Sequence, residues 1–266
     1  MPDIKPQVYK DPRPAEYFTG FHERSRTHEP DWVYDLARVI LTPPTLVLYR
    51  ARAIGAENVP RSGPVILAPN HFSQWDHFFA AVYLHRKVRF MAKSQLFTNP
   101  VIKYIFWHGG AFPVRRGYHD EEAFKTAFTI LDQGGMVLVY AEGGRSRSRN
   151  LGDPKPGIGR IALEAGVPVV PVAIHGSAGV RSWKRLRFPK VTVQFGEPLN
   201  FPAEQESSRE RQMEVSTEVF DIPSSRAICL ELRCWSTSRR QSRSRWVKMS
   251  TAFIEPSSRT CGSCHA

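Results

Sequence analysis

An α/β fold with a largely parallel central sheet flanked by helices is predicted by three features of the sequence. Short β-branched runs recur between about residues 57 and 200, stretches with helical periodicity separate them, and Gly or Pro marks the boundaries. The same reading adds amphipathic helices before this region and a poorly ordered C-terminal tail.

Residues 1–30 are polar and carry prolines without a sustained period, which reads as an N-terminal arm. Over 31–56 the pattern changes. Asp31 can cap a helix whose apolar residues Trp32, Val33, Leu36, Val39 and Ile40 fall at helical spacing, and Pro43-Pro44 is expected to stop it before a second apolar run at 46–49. Such helices suit either a core or a bilayer surface. The α/β domain is expected over 57–222. Val65-Ile66-Leu67-Ala68 reads as a buried strand, as do 88–91, 136–140, 169–174 and 191–195. Asp120-Glu121-Glu122 opens a helix carrying Ala123, Phe124, Ala127, Phe128 and Leu131, and Gly134-Gly135 closes it.

The segment 223–266 departs from this composition. It holds ten Ser, and seven Arg and one Lys against two Glu, a net +6 that is half of the chain's +12. This low-complexity Ser/Arg segment is expected to be poorly ordered, and its abrupt onset also fits an aberrant reading frame. Its Cys229, Cys234, Cys261, Cys264 and His265 superficially suggest zinc, but the long Ser/Arg spacer favours chance spacing.

A chain of 266 residues can bury a sizeable core without disulfides, and the first 228 residues contain no cysteine, which fits a reducing cytosol. No window reaches about 18 consecutive apolar residues, and the opening MPDIKPQVYKDPRPAEY is charged and proline-bearing. Neither a cleaved signal nor an ordinary transmembrane helix is expected. The 37 Lys and Arg against 25 Asp and Glu call for an anionic partner: nucleic acid, a membrane surface or a phosphorylated substrate. Nucleic acid is disfavoured, because half the excess charge lies in the tail and the α/β segment carries no recognised nucleic-acid motif.

The chemistry concentrates after strands, where parallel sheets collect functional groups. Asn70-His71-Phe72-Ser73-Gln74-Trp75-Asp76 follows the strand at 65–68. His71 can act as a base near neutral pH and Asp76 can fix its tautomer. Residues five apart are about 140° apart on a regular helix, so the pair meets only if His71 lies in the turn and Asp76 in the first helical turn. His77 and His85 read as surface or satisfied core histidines. Gly109-Gly110-Ala111-Phe112-Pro113-Val114-Arg115-Arg116 places guanidinium groups beside an extended piece, suited to a phosphate. Tyr140-Ala141-Glu142-Gly143-Gly144-Arg145-Ser146 follows another strand, with glycines that permit close backbone approach and an Arg for an anion. Val167-Pro168-Val169-Val170-Pro171-Val172 is an apolar strand with prolines. Read separately, these stretches are equally compatible with a solvated basic loop, a flexible turn and a structural strand.

In this order they resemble the four motifs of the glycerolipid acyltransferase family typified by 1-acylglycerol-3-phosphate acyltransferase. Asn70, His71 and Asp76 match N-H-x4-D; Gly110, Phe112 and Arg116 match the second motif; Val167, Pro168, Pro171 and Val172 match V-P-x-x-P-V. In the third, usually F-P-E-G-T-R-S, Glu142, Gly143, Arg145 and Ser146 match while Tyr140, Ala141 and Gly144 depart. Lys93, and Lys155 with Gly157, also look like family positions, although Gln95 stands where Glu is common. The resemblance implies transfer of a fatty acyl group from acyl-CoA or acyl-carrier protein, as co-substrate, to the hydroxyl of lysophosphatidic acid, giving phosphatidic acid in phospholipid biosynthesis. Another lysophospholipid or glycerol-3-phosphate as acceptor, or a non-catalytic lipid-binding relative, is the alternative. It further implies His71 and Asp76 as catalytic residues, with Arg116, Glu142, Gly143, Arg145, Lys93 and Lys155 binding substrate. Neither a metal nor a cofactor is expected. The basic aromatic stretch 181–190 and the 31–50 helices are expected to rest on an anionic membrane surface at its cytoplasmic face, in a peripheral or monotopic manner.

Overall fold

The computed structural model describes residues 10–146, 151–180 and 188–221. Its strands are β1 (Arg52–Ile54), β2 (Val65–Pro69), β3 (Arg89–Lys93), β4 (Ala111–Val114), β5 (Met136–Leu138), β6 (Val169–His175) and β7 (Thr192–Phe195). They form one sheet in the order β1-β7-β6-β2-β5-β3-β4, and only the β6–β7 pairing is antiparallel. The helices are α1 (Thr19–Thr27), α2 (Trp32–Val47), α3 (Asp76–Ala81), α4 (Pro100–Gly109), α5 (Glu121–Asp132), α6 (Pro156–Ala165) and α7 (209–221). All of them belong to one unit within Met1–Ala227.

The central strand β2 is buried along its whole length, flanked by β5 and β6. Its alternate residues feed two cores, as a strand covered on both faces must. Val65 and Leu67 face Phe79, Leu84 and Val193, whereas Ile66 and Ala68 face Ile130, Ile161 and Val215. Each of the five strands expected from the sequence is present. β1 and β4 were not expected as strands: β1 has only three residues, and the glycine-bounded piece before Arg115 read only as extended.

Two expectations fail. Residues 15–27 do not trail as an arm: the 3-10 turn Ala15–Phe18 and α1 bury Phe18 and Phe21 against Phe97, and His22 Nδ1 lies 2.9 Å from Thr126 Oγ1 of α5. Two aromatic residues anchor this segment where its polar composition suggested nothing. Nor does Pro43-Pro44 stop α2, which runs on through Val47. The prolines remove the N–H donors for the carbonyls of Val39 and Ile40. Those residues are exposed, where losing a partner costs least, and the Thr42 hydroxyl donates to the Arg38 carbonyl at 2.6 Å. Asp31 caps the helix as expected, accepting from Val33 N at 3.2 Å. The Ser/Arg segment and its cysteines lie outside the described residues, as do 181–187 of the basic loop.

Where α6 crosses α7, the chain comes too close for any side chain. Gly159 N donates to Ser216 Oγ at 3.0 Å, and a Cβ at Gly159 would stand 1.9 Å from the Gln212 carbonyl oxygen. Gly159→Ala is therefore expected to lower stability by roughly 2–3 kcal/mol through overpacking against rigid backbone. Ser216→Ala removes two hydrogen bonds, the one from Gly159 N and the one to Gln212 O, leaves the buried Gly159 N–H without its acceptor, and should cost about 1–3 kcal/mol. Urea denaturation followed by circular dichroism checks both; equal midpoints for Gly159→Ala and wild type would contradict the crossing geometry.

Candidate active site

The chain leaves β2 through Asn70, whose side-chain amide continues the ladder: Oδ1 accepts from Ile174 N at 2.7 Å and Nδ2 donates to Ile174 O at 3.1 Å. This fixes the direction of the following turn. His71 lies in that turn and Asp76 is the first residue of α3, the arrangement their spacing requires. Asp76 is fully buried, and its Oδ2 accepts from His71 Nδ1 at 2.9 Å and from the backbone N–H groups of Phe72 and Ser73, both at 2.7 Å. A carboxylate oxygen can only accept from the ring, so Nδ1 carries the proton and Nε2 holds a lone pair. Burial is the largest influence on His71 and lowers its pKa below 6.5; Asp76 opposes, while Arg145 and Arg116 add to the lowering. The ring is thus a neutral base at physiological pH.

The loop after β5 is stitched to this turn. Tyr140 stacks on His71 with ring centroids 3.8 Å apart and planes at 17°. Glu142 Oε1 accepts from His71 N at 2.9 Å and its Oε2 accepts from Gly152 N at 2.8 Å, while Ser146 N donates to His71 O at 2.8 Å. Burial raises the Glu142 pKa, and the two backbone donors work against that rise. Gly143 makes the bend at φ +61°, its N–H donating to Tyr140 O at 2.9 Å. A Cβ there would meet Lys155 Cγ at 3.1 Å.

A cleft of about 400 Å³ opens in front of His71. One wall comes from Val33, Tyr34, Ala37 and Leu41 of α2, the other from Ile102, Ile105 and Phe106 of α4, with Phe78, Phe90 and Met91 between. Lys93 at the end of β3, Arg116 beyond β4 and Arg145 beyond β5 share this cleft with His71. Four neighbouring parallel strands thus deliver the polar groups from their carboxyl ends. Burial lowers the Lys93 pKa first, and Arg145 and Arg116 lower it further. Three cations held within range of one another repel, and an anion among them relieves that repulsion.

Of the expected substrate-binding residues, Lys93, Arg116 and Arg145 line the cleft. Glu142, Gly143 and Lys155 do not: Glu142 is committed to backbone donors, Gly143 forms the bend, and exposed Lys155 packs its stem beneath it. In the second motif, Gly110 ends α4 at φ +78° where a Cβ would stand 2.4 Å from Pro30 Cγ, and Phe112 is core. Sequence reasoning missed Tyr140 and His77 as lining residues. His77, next to Asp76, packs its ring 4.0 Å from Phe78 and 5.5 Å from Phe90, and burial drops its pKa to about 4. Its place in the first turn of a helix that opens beside His71 was the available signal. Among the described residues, no three His, Cys, Asp or Glu side chains stand together as a metal site.

Residues 50–175 match the family model described as Acyltransferase. The chain is 30% identical over 135 residues to the chloroplastic 1-acyl-sn-glycerol-3-phosphate acyltransferase BAT2 of Brassica napus, covering 50% of this chain and 39% of that protein. It is 31% identical over 146 residues to the 1-acyl-sn-glycerol-3-phosphate acyltransferase of Bacillus subtilis, covering 54% of this chain and 71% of that one. The match therefore spans well under half of the plant relative and most of the bacterial one. The crystal structure of the 1-acyl-sn-glycerophosphate acyltransferase PlsC from Thermotoga maritima shares the fold, with a TM-score of 0.53 at 23% identity over 87% of this chain and 91% of that one. With the N-H-x4-D turn closed as its spacing requires, and most of the Bacillus subtilis relative matched, the chain belongs to the glycerolipid acyltransferase family.

Proposed function

We propose that the chain transfers a fatty acyl group from a coenzyme A or acyl-carrier-protein thioester to the free hydroxyl of lysophosphatidic acid, giving phosphatidic acid. The observation that carries this reading is a neutral His71, oriented by Asp76, sharing one apolar cleft with three cations. The cleft takes the acyl chain and Lys93, Arg116 and Arg145 take the phosphate. His71 Nε2 removes the proton of the acceptor hydroxyl as its oxygen attacks the thioester carbonyl carbon. The π pair moves onto the carbonyl oxygen; when it returns, the carbon–sulfur bond breaks and His71 gives its proton to the leaving thiolate. The products are an ester and a free thiol, and the chain itself is left unchanged. Holding both substrates in one cleft removes several kcal/mol of the barrier by orientation. Glu142 acts on the loop, holding the backbone of His71 in place.

The acceptor resides in a membrane, and we place the protein on the cytoplasmic face of one, in a peripheral or monotopic manner. The support is that α2 is apolar on both sides. Val33, Ala37 and Leu41 face the cleft, while Val39 and Val47 on α2 and Val101 on α4 are 69%, 71% and 66% exposed, accompanied by Trp32, Ile40, Tyr104 and Ile105. An apolar patch of this size is costly to leave in water and suits the headgroup boundary. Among the described residues, no helix is long and apolar enough to cross a membrane.

His71→Ala should lower phosphatidic acid formation by about 10²-fold or more, the usual contribution of a positioned acid/base. In the wild type, kcat/KM for the acyl donor should fall as the pH drops through a value below 6.5, because protonated His71 has no lone pair; His77 stays neutral until about 4 and adds no limb above it. A limb above pH 6.5 would contradict the assignment.

Arg116→Ala and Glu142→Gln should separate by parameter. Loss of a charge-assisted phosphate contact raises KM for lysophosphatidic acid by about tenfold. An amide at 142 places an N–H against a backbone N–H, and kcat should fall by about tenfold while KM stays within about twofold. Steady-state kinetics with the acceptor varied tests both, and a KM effect alone for Glu142→Gln would restore a substrate contact.

Flotation with vesicles containing anionic lipid should recover wild-type protein. Val39→Glu with Val47→Glu should abolish recovery without changing the thermal midpoint. Undiminished flotation would place the membrane contact elsewhere.

A further inference from the structure

Residues 11–13, expected from the sequence to belong to a polar arm, lie across the carboxyl ends of β3 and β4. The Arg13 guanidinium donates from Nη2 to Ser94 O at 2.7 Å and from Nη1 to Phe97 O at 3.2 Å, so it is bound to the backbone that directly follows Lys93. The Arg13 carbonyl accepts from Arg115 Nη2 at 2.9 Å and the Asp11 carbonyl accepts from the Tyr118 hydroxyl at 3.2 Å, which binds the same strap to residues on both sides of Arg116. Buried Asp11 braces the guanidinium: its Oδ1 accepts from Arg13 Nε at 2.9 Å and its Oδ2 from Arg13 Nη2 at 2.6 Å. The hydrogen bonds from Arg13 overcome burial and hold the Asp11 carboxyl down to about 2, so the pair is ionised at any pH near neutral.

The two strand ends need a tie at this place. Lys93 and Val114 form the last paired rung of β3 and β4, and Arg116 lies two residues past it. β4 is the outermost strand on this side of the sheet, so no further strand holds its end. Lys93, Arg116 and Arg145 nevertheless line one cleft, and a Cβ at Gly144 would stand 3.1 Å from Arg116 Nη1, which puts that guanidinium against the loop carrying Arg145. Like charges gathered in partly buried surroundings push apart until an anion joins them. The β3–β4 ladder stops where that push begins, and the strap of residues 11–13 spans the gap. The apolar contacts of Phe18 and Phe21 with Phe97 seat the neighbouring helix independently of it.

We propose that Arg13, braced by Asp11, is a positioning residue for the acceptor's phosphate: it fixes the spacing of Lys93 and Arg116 before the phosphate arrives, an inference that rests on the acyl-transfer reading above. Arg13 is not among the residues that line the cleft, and its guanidinium is committed to Ser94, Phe97 and Asp11. It acts on the substrate only through the two backbone segments that it joins. Cations already spaced for a phosphate need less ordering when one binds, so the contribution of Arg13 falls on acceptor affinity. Proton transfer at His71 does not depend on it.

The test compares wild type, Arg13→Ala and Arg13→Lys as full chains. Lysine keeps the positive charge but offers a single ammonium in place of the fork, so it cannot serve Ser94 O, Phe97 O and Asp11 together. Equilibrium binding of lysophosphatidic acid and of the monoacylglycerol with the same chain, which lacks the phosphate, isolates the phosphate's share without turnover. Wild type should prefer lysophosphatidic acid, and both variants should lose about fivefold of that preference while monoacylglycerol binds as before. In steady state, KM for lysophosphatidic acid should rise by about the same factor, with kcat within about twofold and the acid limb of the pH profile in place. In an Arg116→Ala background, Arg13→Ala should add less than about twofold, because the group it positions is gone. An intact phosphate preference in folded Arg13→Ala overturns the assignment and leaves acyl transfer in place; where Arg13→Ala fails to fold, Arg13→Lys decides. Wild-type preference in Arg13→Lys overturns it, since charge alone would then suffice. A loss of equal size with and without Arg116 also overturns it, since Arg13 would then act on the domain at large. A wild type that binds the two ligands alike removes the phosphate site itself, and the role of Arg13 with it.

Discussion

The site depends on one oxygen, Oδ2 of Asp76, and on the three N–H groups that meet there. A fully buried carboxylate is costly unless donors surround it, and here the donors are the His71 ring and the backbone of Phe72 and Ser73. The two backbone donors come from the turn between β2 and α3. Satisfying the carboxylate and folding the turn are therefore one event. The imidazole is placed by the same contacts, with its Nδ1 proton fixed and its Nε2 lone pair kept for chemistry. Asn70 sets the start of this turn by mimicking a ladder residue against Ile174, and Glu142 and Ser146 clamp its other side.

The electrostatics around His71 are a balance of opposed influences. Asp76 favours the imidazolium; burial, Arg145 and Arg116 disfavour it more strongly. The cations thereby serve two purposes in the proposed reaction. In the free protein they help keep the base unprotonated. Once a phosphate sits among them, much of their repulsion is neutralised, so the imidazolium that forms as the acceptor loses its proton is easier to tolerate. In the proposed reaction, phosphate binding and the basicity of His71 are thus coupled through charge.

The parts legible in the sequence were those set by local patterns. Apolar runs gave five strands their places, and the spacing of His71 and Asp76 demanded a turn followed by a helix start, which is what forms. The parts that were not legible depend on contacts across the fold. α1 is held by Phe18 and Phe21 against Phe97, some eighty residues away, and no periodicity within residues 1–30 announces this. α2 continues past Pro43-Pro44 because the carbonyls that lose their donors belong to the exposed Val39 and Ile40, which a local rule about proline does not anticipate. The resemblance implied a substrate-binding role for Glu142 of the third motif. Its oxygens are instead claimed by His71 N and Gly152 N, the latter ten residues further along the chain.

The two-sidedness of α2 joins these features into one device. Helices of soluble domains commonly put one apolar stripe inward; α2 has apolar side chains on the cleft side and on the outer side, so packing against its own domain accounts for only half of them. Its end is tied down where the Asp31 side chain accepts from Val33 N, from Arg24 at 2.9 Å and from the His108 ring at the close of α4. One carboxylate thus binds the start of one cleft wall to the end of the other. If the outer faces of α2 and α4 rest in the headgroup layer, as proposed, the helices that meet the lipid are the walls that enclose the acyl chain. An acyl chain then reaches the cleft between two helices that already touch the lipid. The polar reacting groups meet it at the far end, at the carboxyl edge of the sheet. The membrane contact leaves the carbonyl, the acceptor hydroxyl and the phosphate as the polar substrate groups that the protein must desolvate for chemistry.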